Sequence, residues 1–202
     1  MSLFASLLVN AVVAAGPATP LPWYTLDNYP MKAFEREWQG ITTFSLLVGP
    51  DGRPADCTVL KSSGFERLDK QACWVAMKKP RFTPARAPNG QLAYGEYRSQ
   101  VVWARPDRDF VQQDPGPDLE VTLSSLPAGT IKPAGVKLAY FVDTQGNPSE
   151  CTPLPESQKQ PRQLIDAACS QFLAKAARTP ATVNGAPVGV VRTAAVKFDT
   201  SN

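Results

Sequence analysis

The residues here that could do chemistry are four cysteines, at 57, 73, 151 and 169, and no histidine accompanies them. Without imidazole, Ser-His and Cys-His nucleophilic catalysis, histidine-containing zinc sets and the usual sensor of near-neutral pH are all excluded. No two cysteines form a Cys-x-x-Cys pair, so no redox or thiolate-zinc motif is spelled out. Gly-rich phosphate loops, serine elbows and metal motifs do not occur either. Glu66 and Asp69 lie three residues apart and in principle can share acid and base duties, but beside a helix start they read as solvated first-turn acids. Lys78-Lys79-Pro80-Arg81 with Arg86, near Trp74 and Phe82, has the composition of an anion patch, yet reads as the basic end of a helix facing its macrodipole. No catalytic, cofactor-binding or metal-binding residue is assigned, no cofactor is expected, and the chain reads as a non-enzyme.

The rest of the composition limits the partners and the architecture. With 21 Lys and Arg against 18 Asp and Glu, the net charge of +3 is too balanced for a nucleic-acid binder. Twenty prolines in 202 residues favour short elements joined by turns over a helical bundle. The length allows one large domain or two small ones.

Internal similarity decides between them. Residues 41–103 and 136–198 carry the same succession of signals. Ile41–Val48, the turn Pro50-Asp51-Gly52-Arg53 and Asp56–Leu60 read as an antiparallel hairpin, as do Val136–Val142, Thr144-Gln145-Gly146-Asn147 and Glu150–Thr152. A helix follows each hairpin. In the first, Ser63 and Glu66 form a capping-box signature, and Leu68, Ala72, Val75 and Ala76 share a face until Pro80. In the second, Pro161 opens the helix, Leu164, Ala168 and Phe172 mark the buried side, and Pro180 lies beyond its end. Each copy then has a Thr-Pro-Ala, an Asn-Gly turn and a closing strand, Gly95–Trp103 and Val188–Phe198.

A cysteine sits five residues after the turn glycine and another five after the helix leucine, in both copies. Of the three possible connectivities, Cys57 with Cys73 and Cys151 with Cys169 alone keeps the repeat, tying strand to helix within each unit. Closing a ring of about 17 residues contributes ~3 kcal/mol in the loop-closure account.

Leu3–Ala15 is an apolar run of thirteen, too short for the ~20 residues of a membrane span but right for a signal-peptide core, with small residues at Val13-Ala14-Ala15 for cleavage. Paired cysteines agree with an oxidising, exported setting. The expected organisation is a signal peptide at 1–15, a Pro-rich leader at 16–28, one unit at 29–104, a linker at 105–130 with a short strand at Leu119–Leu123, and a second unit at 131–202. The fold class is α+β: two small units, each a three-stranded antiparallel sheet packed by one or two helices.

The first unit carries, in order, Tyr29-Pro30 with MKAFEREWQG, Gly40, Pro50-Asp51-Gly52-Arg53, Lys61-Ser62-Ser63-Gly64, Leu68-Asp69 and Arg81-Phe82-Thr83-Pro84-Ala85. By this ordered set it resembles the carboxy-terminal domain of the TonB family. The second unit looks like a degenerate copy without the Tyr-Pro helix, and with Gln145 in place of Asp51. The resemblance implies a periplasmic module that recognises a protein or extended peptide, outer-membrane proteins among the candidates, by strand addition to the last strand of a sheet. In the first unit the partner-binding residues are then Tyr97, Ser99, Val101 and Trp103, with Tyr97 and Trp103 as anchors if one face of the strand is exposed. The alternative is a cell-envelope scaffold whose two units cover each other's edges. Energy transduction is not expected, because this sequence holds neither a membrane anchor nor a long Pro-rich spacer, and no stable membrane span or nucleic-acid partner is expected.

Peptide mapping under non-reducing conditions should recover 57 linked to 73 and 151 linked to 169, with four hydrogens gained on reduction. The C57S/C73S double variant is expected to unfold at lower urea, losing about 3 kcal/mol; free thiols in the exported protein, or unchanged stability, would contradict the pairing.

Overall fold

A computed structural model describes residues 11–18, 23–78, 80–105 and 116–201. In chain order the strands are β1 (Gly16–Pro17), β2 (Gly40–Val48), β3 (Pro54–Lys61), β4 (Phe82–Thr83), β5 (Ala85–Arg86), β6 (Leu92–Trp103), β7 (Leu119–Leu123), β8 (Gly135–Val142), β9 (Pro148–Pro153), β10 (Ala181–Val183), β11 (Ala186–Val188) and β12 (Val190–Thr200). The helices are α1 (Met31–Glu35), α2 (Glu66–Lys78) and α3 (Arg162–Lys175), with single 3-10 turns at Leu26–Asn28 and Pro155–Ser157. The class is mixed α+β. Among the described residues no helix is long and apolar enough to cross a membrane.

The sheets expected to be separate are joined. One continuous sheet has the order β3-β2-β6-β12-β8-β9, with β5 added on β6 and β7 added on β12. β2 lies antiparallel between β3 and β6, and β8 lies antiparallel between β9 and β12. The seam is the parallel pairing of β6 with β12, and it consists of two residue pairs, Tyr94 with Val190 and Gly95 with Val191.

Alternation along the strands explains where the two cores lie. Successive side chains of a strand point to opposite faces. Phe44, Leu46 and Val48 of β2 and Val101 and Trp103 of β6 form one apolar cluster with Leu68, Ala72 and Ala76 of α2. Val136, Leu138, Tyr140 and Val142 of β8 and Val190, Ala194, Val196 and Phe198 of β12 form the other with Leu164, Ala168 and Phe172 of α3. At the seam Tyr94 packs on the second cluster while Val191 belongs to the first, so the helices cover opposite faces of the sheet. The helix faces read from spacing are the buried ones: Leu68, Ala72, Val75, Ala76, Leu164 and Ala168 are fully buried.

The Ser63–Glu66 capping box does not form. Asp69 Oδ1 accepts the Ser63 N–H at 2.9 Å instead, and Glu66 is exposed with its carboxylate 2.6 Å from Lys70 Nζ. Asp69 is therefore not a solvated acid but a buried one. Lys78 Nζ stands 4.3 Å from the Trp74 ring centroid, while Lys79 of the basic tract lies outside the described residues.

Residues 1–10 of the expected signal peptide also lie outside the described residues. Its last residues and part of the leader are packed: Val13 exchanges backbone hydrogen bonds with Arg86, Gly16 and Pro17 pair with Thr83 and Phe82, and Val12, Ala15 and Trp23 are buried.

Gly52 and Gly146, the two hairpin-turn glycines, both have positive φ, +74° and +86°. A Cβ on Gly52 would collide with the Phe82 carbonyl oxygen and one on Gly146 with the Arg178 carbonyl oxygen, each just before a proline, Pro84 or Pro180, that also borders the glycine. Each turn thus presses on the segment that follows its helix. Gly52→Ala and Gly146→Ala are each expected to cost about 1–3 kcal/mol in denaturant unfolding, from strained φ and backbone overlap together. Loss below a few tenths of a kcal/mol at either would show that the turns do not bear on those segments.

Candidate functional site

β6 is the strand on which the described elements converge. From Gly95 to Trp103 it pairs antiparallel with β2, from Val48 to Gly40. At the start of the strand β5 pairs with Leu92 and Ala93; on the side away from β2, β12 takes Tyr94 and Gly95, and from Tyr97 to Trp103 no strand among the described residues is paired on that side. A strand that leaves every second N–H and C=O without a protein partner is a template for an incoming extended chain.

The two faces of that stretch differ. Tyr97, Val101 and Trp103 point into the core beneath α2, whereas Arg98 and Val102 are exposed on the opposite face. Trp103 is 3% exposed, so its ring is not presented to solvent. It packs against Tyr24 and Tyr29, and its Nε1 donates to Thr42 Oγ1 at 2.9 Å. Tyr97 packs on Trp23 and Phe82. The anchoring role expected for these two rings is conditional on an exposed face; the Trp103 ring is buried and Tyr97 half-buried on the α2 side, and the side chains exposed along this stretch are Arg98 and Val102. Ser99 is half-buried on the same strand, paired with Phe44 of β2.

A hydrogen-bonded relay holds this end of β6 in place. Thr42 passes the Trp103 contact on by donating to Asp69 Oδ1 at 2.8 Å, while Ser62 Oγ donates to Asp69 Oδ2 at 2.5 Å. Burial alone would raise the Asp69 pKa, but the donors Ser62, Ser63 and Thr42 outweigh it and hold the carboxyl below the ordinary range. Thr42 shares strand phase with Phe44, Leu46 and Val48, so a polar side chain at an inward position was a readable signal that the sequence reading missed. Tyr24, also missed, donates its hydroxyl to the Ala72 carbonyl at 2.7 Å, and its burial, with Tyr97 adding to it, pushes its pKa well up.

Beside the free edge, Tyr24, Thr25, Leu26 and Tyr29 line a cleft with Val101, Val102, Trp103 and Ala104, of about 200 Å³. Leu26 and Val102 at its rim are exposed apolar side chains. At the other end of the edge, Arg98 is held by Glu96 at 2.8 Å and by Asp118, just before β7, at 2.6 Å. Glu96 in turn meets Arg192 of β12 at 2.9 Å, so charge closes the seam where the strands part.

The four cysteines lie in two pairs at disulfide distance, Cys57 on β3 with Cys73 on α2 and Cys151 on β9 with Cys169 on α3. Each pair ties an outer strand of the sheet to the helix packed on it.

Residues 26–103, from the first 3-10 turn to the end of β6, match the family described as Gram-negative bacterial TonB protein C-terminal. A relative is Protein tonB2 of Pseudomonas aeruginosa, 41% identical over 59 residues, which are 29% of this chain and 22% of that protein. The chain thus spans about a fifth of the length of that relative. The family match covers the first half of the sheet, including the free stretch of β6, and ends before β7.

Because the folded Asp69 pKa is depressed, its stabilising effect is present above the unfolded value of about 3.9 and disappears as pH falls through the lower folded value. Asp69→Asn is expected to cost about 1–3 kcal/mol near neutrality, to flatten the loss of stability between pH 5 and pH 2, and to perturb the near-ultraviolet signal of Trp103. An unchanged acid limb would separate Asp69 from the relay.

Proposed function

We propose that this chain is a periplasmic binding module of the TonB-like type that captures an extended segment of another envelope protein by strand addition to β6. The observation that carries the reading is the stretch Tyr97–Trp103, paired with a strand on one side only among the described residues, with an aromatic-walled cleft at its end. Main-chain hydrogen bonds to this edge supply affinity, and alternate side chains of the guest supply selectivity. The cleft takes an apolar guest side chain against Leu26 and Val102. The family match over residues 26–103 supports a partner among outer-membrane proteins.

The reading includes a duplication: residues 29–104 and 131–202 are two copies of one module joined edge to edge through β6 and β12. Its support is the shared geometry of Gly52 and Gly146 and the equivalent placement of the cysteine pairs. Parallel pairing of two equivalent strands relates the copies by a twofold axis along the strands, and such an axis puts their helices on opposite faces, as α2 and α3 are. A scaffold in which the copies hide each other's edges is the weaker reading, since the seam uses two residue pairs of β6 and leaves the rest.

Photo-crosslinking residues at Gln100 and Val102 should capture an envelope protein through one extended segment, and one at Trp74 on α2 should not. Of Ser99→Pro and Gln100→Pro, alternation requires that one removes an outward N–H; that variant should keep the fold and lose crosslinking at least tenfold. Equal capture from Trp74, or intact capture by both proline variants, would overturn the reading.

A further inference from the structure

β12 carries on one side β8, along Val190–Lys197, and on the other first β6, at Val190 and Val191, and then β7, in parallel from Val196 to Thr200. Counted from the registered seam, Val196–Asp199 of β12 stand where Gln100–Trp103 stand on β6. The last four residues of the stretch left open on β6 therefore correspond to residues that β7 pairs with on β12. β7 is not part of either hairpin. It reaches the edge from the connection between the two halves, and it is fastened where it starts: the Asp118 backbone N–H donates to the Ala195 carbonyl at 2.8 Å, Asp118 Oδ2 accepts the Ala195 N–H at 2.8 Å, and Asp118 Oδ1 meets Arg98 of β6 at 2.6 Å. Leu119, Val121 and Leu123 are half-buried against the second core while Glu120 and Thr122 are exposed. At the far end the Ser201 N–H donates to the Leu123 carbonyl at 3.1 Å.

We propose that β7 is an internal guest strand: it occupies a second acceptor edge, on β12, and keeps that edge closed, so that of the two edges flanking the seam only the one on β6 is left open among the described residues. This rests on the reading of β6 as an acceptor only in taking the two edges as equivalent. It also specifies the guest. The segment that satisfies such an edge begins with an acid, which binds a backbone N–H and an arginine, and continues with apolar side chains at alternate positions, as Asp118-Leu119-Glu120-Val121-Thr122-Leu123 does. A partner segment with apolar side chains at alternate positions is the chemical class expected at β6, where Arg98 is already held by Glu96 and Asp118. Release of β7 exposes apolar surface of the second core together with the β12 edge, so an unfastened chain gains a second site at the cost of stability.

The probe is the synthetic peptide of residues 117–126, PDLEVTLSSL, titrated calorimetrically into the full chain and into the variant L119S/V121S/L123S, which keeps the connection but removes the apolar face of β7. The proposal predicts one more peptide bound per chain in the variant than in the unsubstituted protein. One and two sites support both acceptor edges. None and one support the closed β12 edge and refute the reading of β6. One and one, or none and none, overturn the internal guest. Should the triple variant fail to fold, Asp118→Ala loosens the fastening alone: amide hydrogen exchange across Val196–Thr200 should quicken at least tenfold while the Val136–Val142 amides stay unchanged, and unaltered exchange at Val196–Thr200 overturns the proposal.

Discussion

Two long strands that start side by side cannot both diverge and stay satisfied, and this constraint organises the molecule. β6 and β12 share two registered pairs and then separate, because right-handed twist rotates neighbouring strands and each is already committed along its other side, β6 to β2 and β12 to β8. The polar backbone groups beyond the seam must find water, another strand or a guest. On β12 the chain supplies a strand from its own connection; on β6 the described residues supply none. The charged set Glu96, Arg98, Asp118 and Arg192 occupies the point of divergence, where neither ladder continues.

Around that wedge the packing fixes the direction in which each edge can be used. A core face on one side of β6 and another on the opposite side of β12 means that neither helix layer runs over the opening. Val13, Gly16 and Pro17 pair with β5 and β4, and the aromatic side chains of Trp23, Tyr24 and Tyr29 pack into the core beneath the open stretch of β6. The relay from Trp103 through Thr42 to Asp69 and the serines before α2 then ties the end of the strand to the helix start, so the edge is presented by a rigid support. Rigidity matters for a site made of backbone, since an edge already held straight loses little entropy when a guest chain pairs with it.

Local signals in the sequence carried the hairpins, the buried faces of α2 and α3 and the turn glycines, because each depends on residues a few positions apart. Leu68, Ala72, Val75 and Ala76 could be read as a core face from period alone, and so could Leu164, Ala168 and Phe172. The aromatic side chains of β6 were legible as strand residues, but not which face each takes, since a run with Tyr94, Tyr97 and Trp103 lacks strict alternation. Asp69 and Glu66 are both first-turn acids by spacing, and only their placement relative to β2 makes one buried and the other free in solvent. The seam entered only as the alternative of two units covering each other's edges: which residues of β6 and β12 meet is decided by long-range backbone pairing, for which neither composition nor period has a signature.

Amide hydrogen exchange along β6, resolved residue by residue in the free chain and with the peptide of residues 117–126 bound, bears most directly on the claim of an open edge. The account predicts that between Tyr97 and Trp103 every second amide exchanges quickly in the free chain while its neighbours, bonded to β2, are protected, and that the peptide protects the fast set. Uniform protection of this stretch before any peptide is added would mean the edge is already filled, and the account would be wrong.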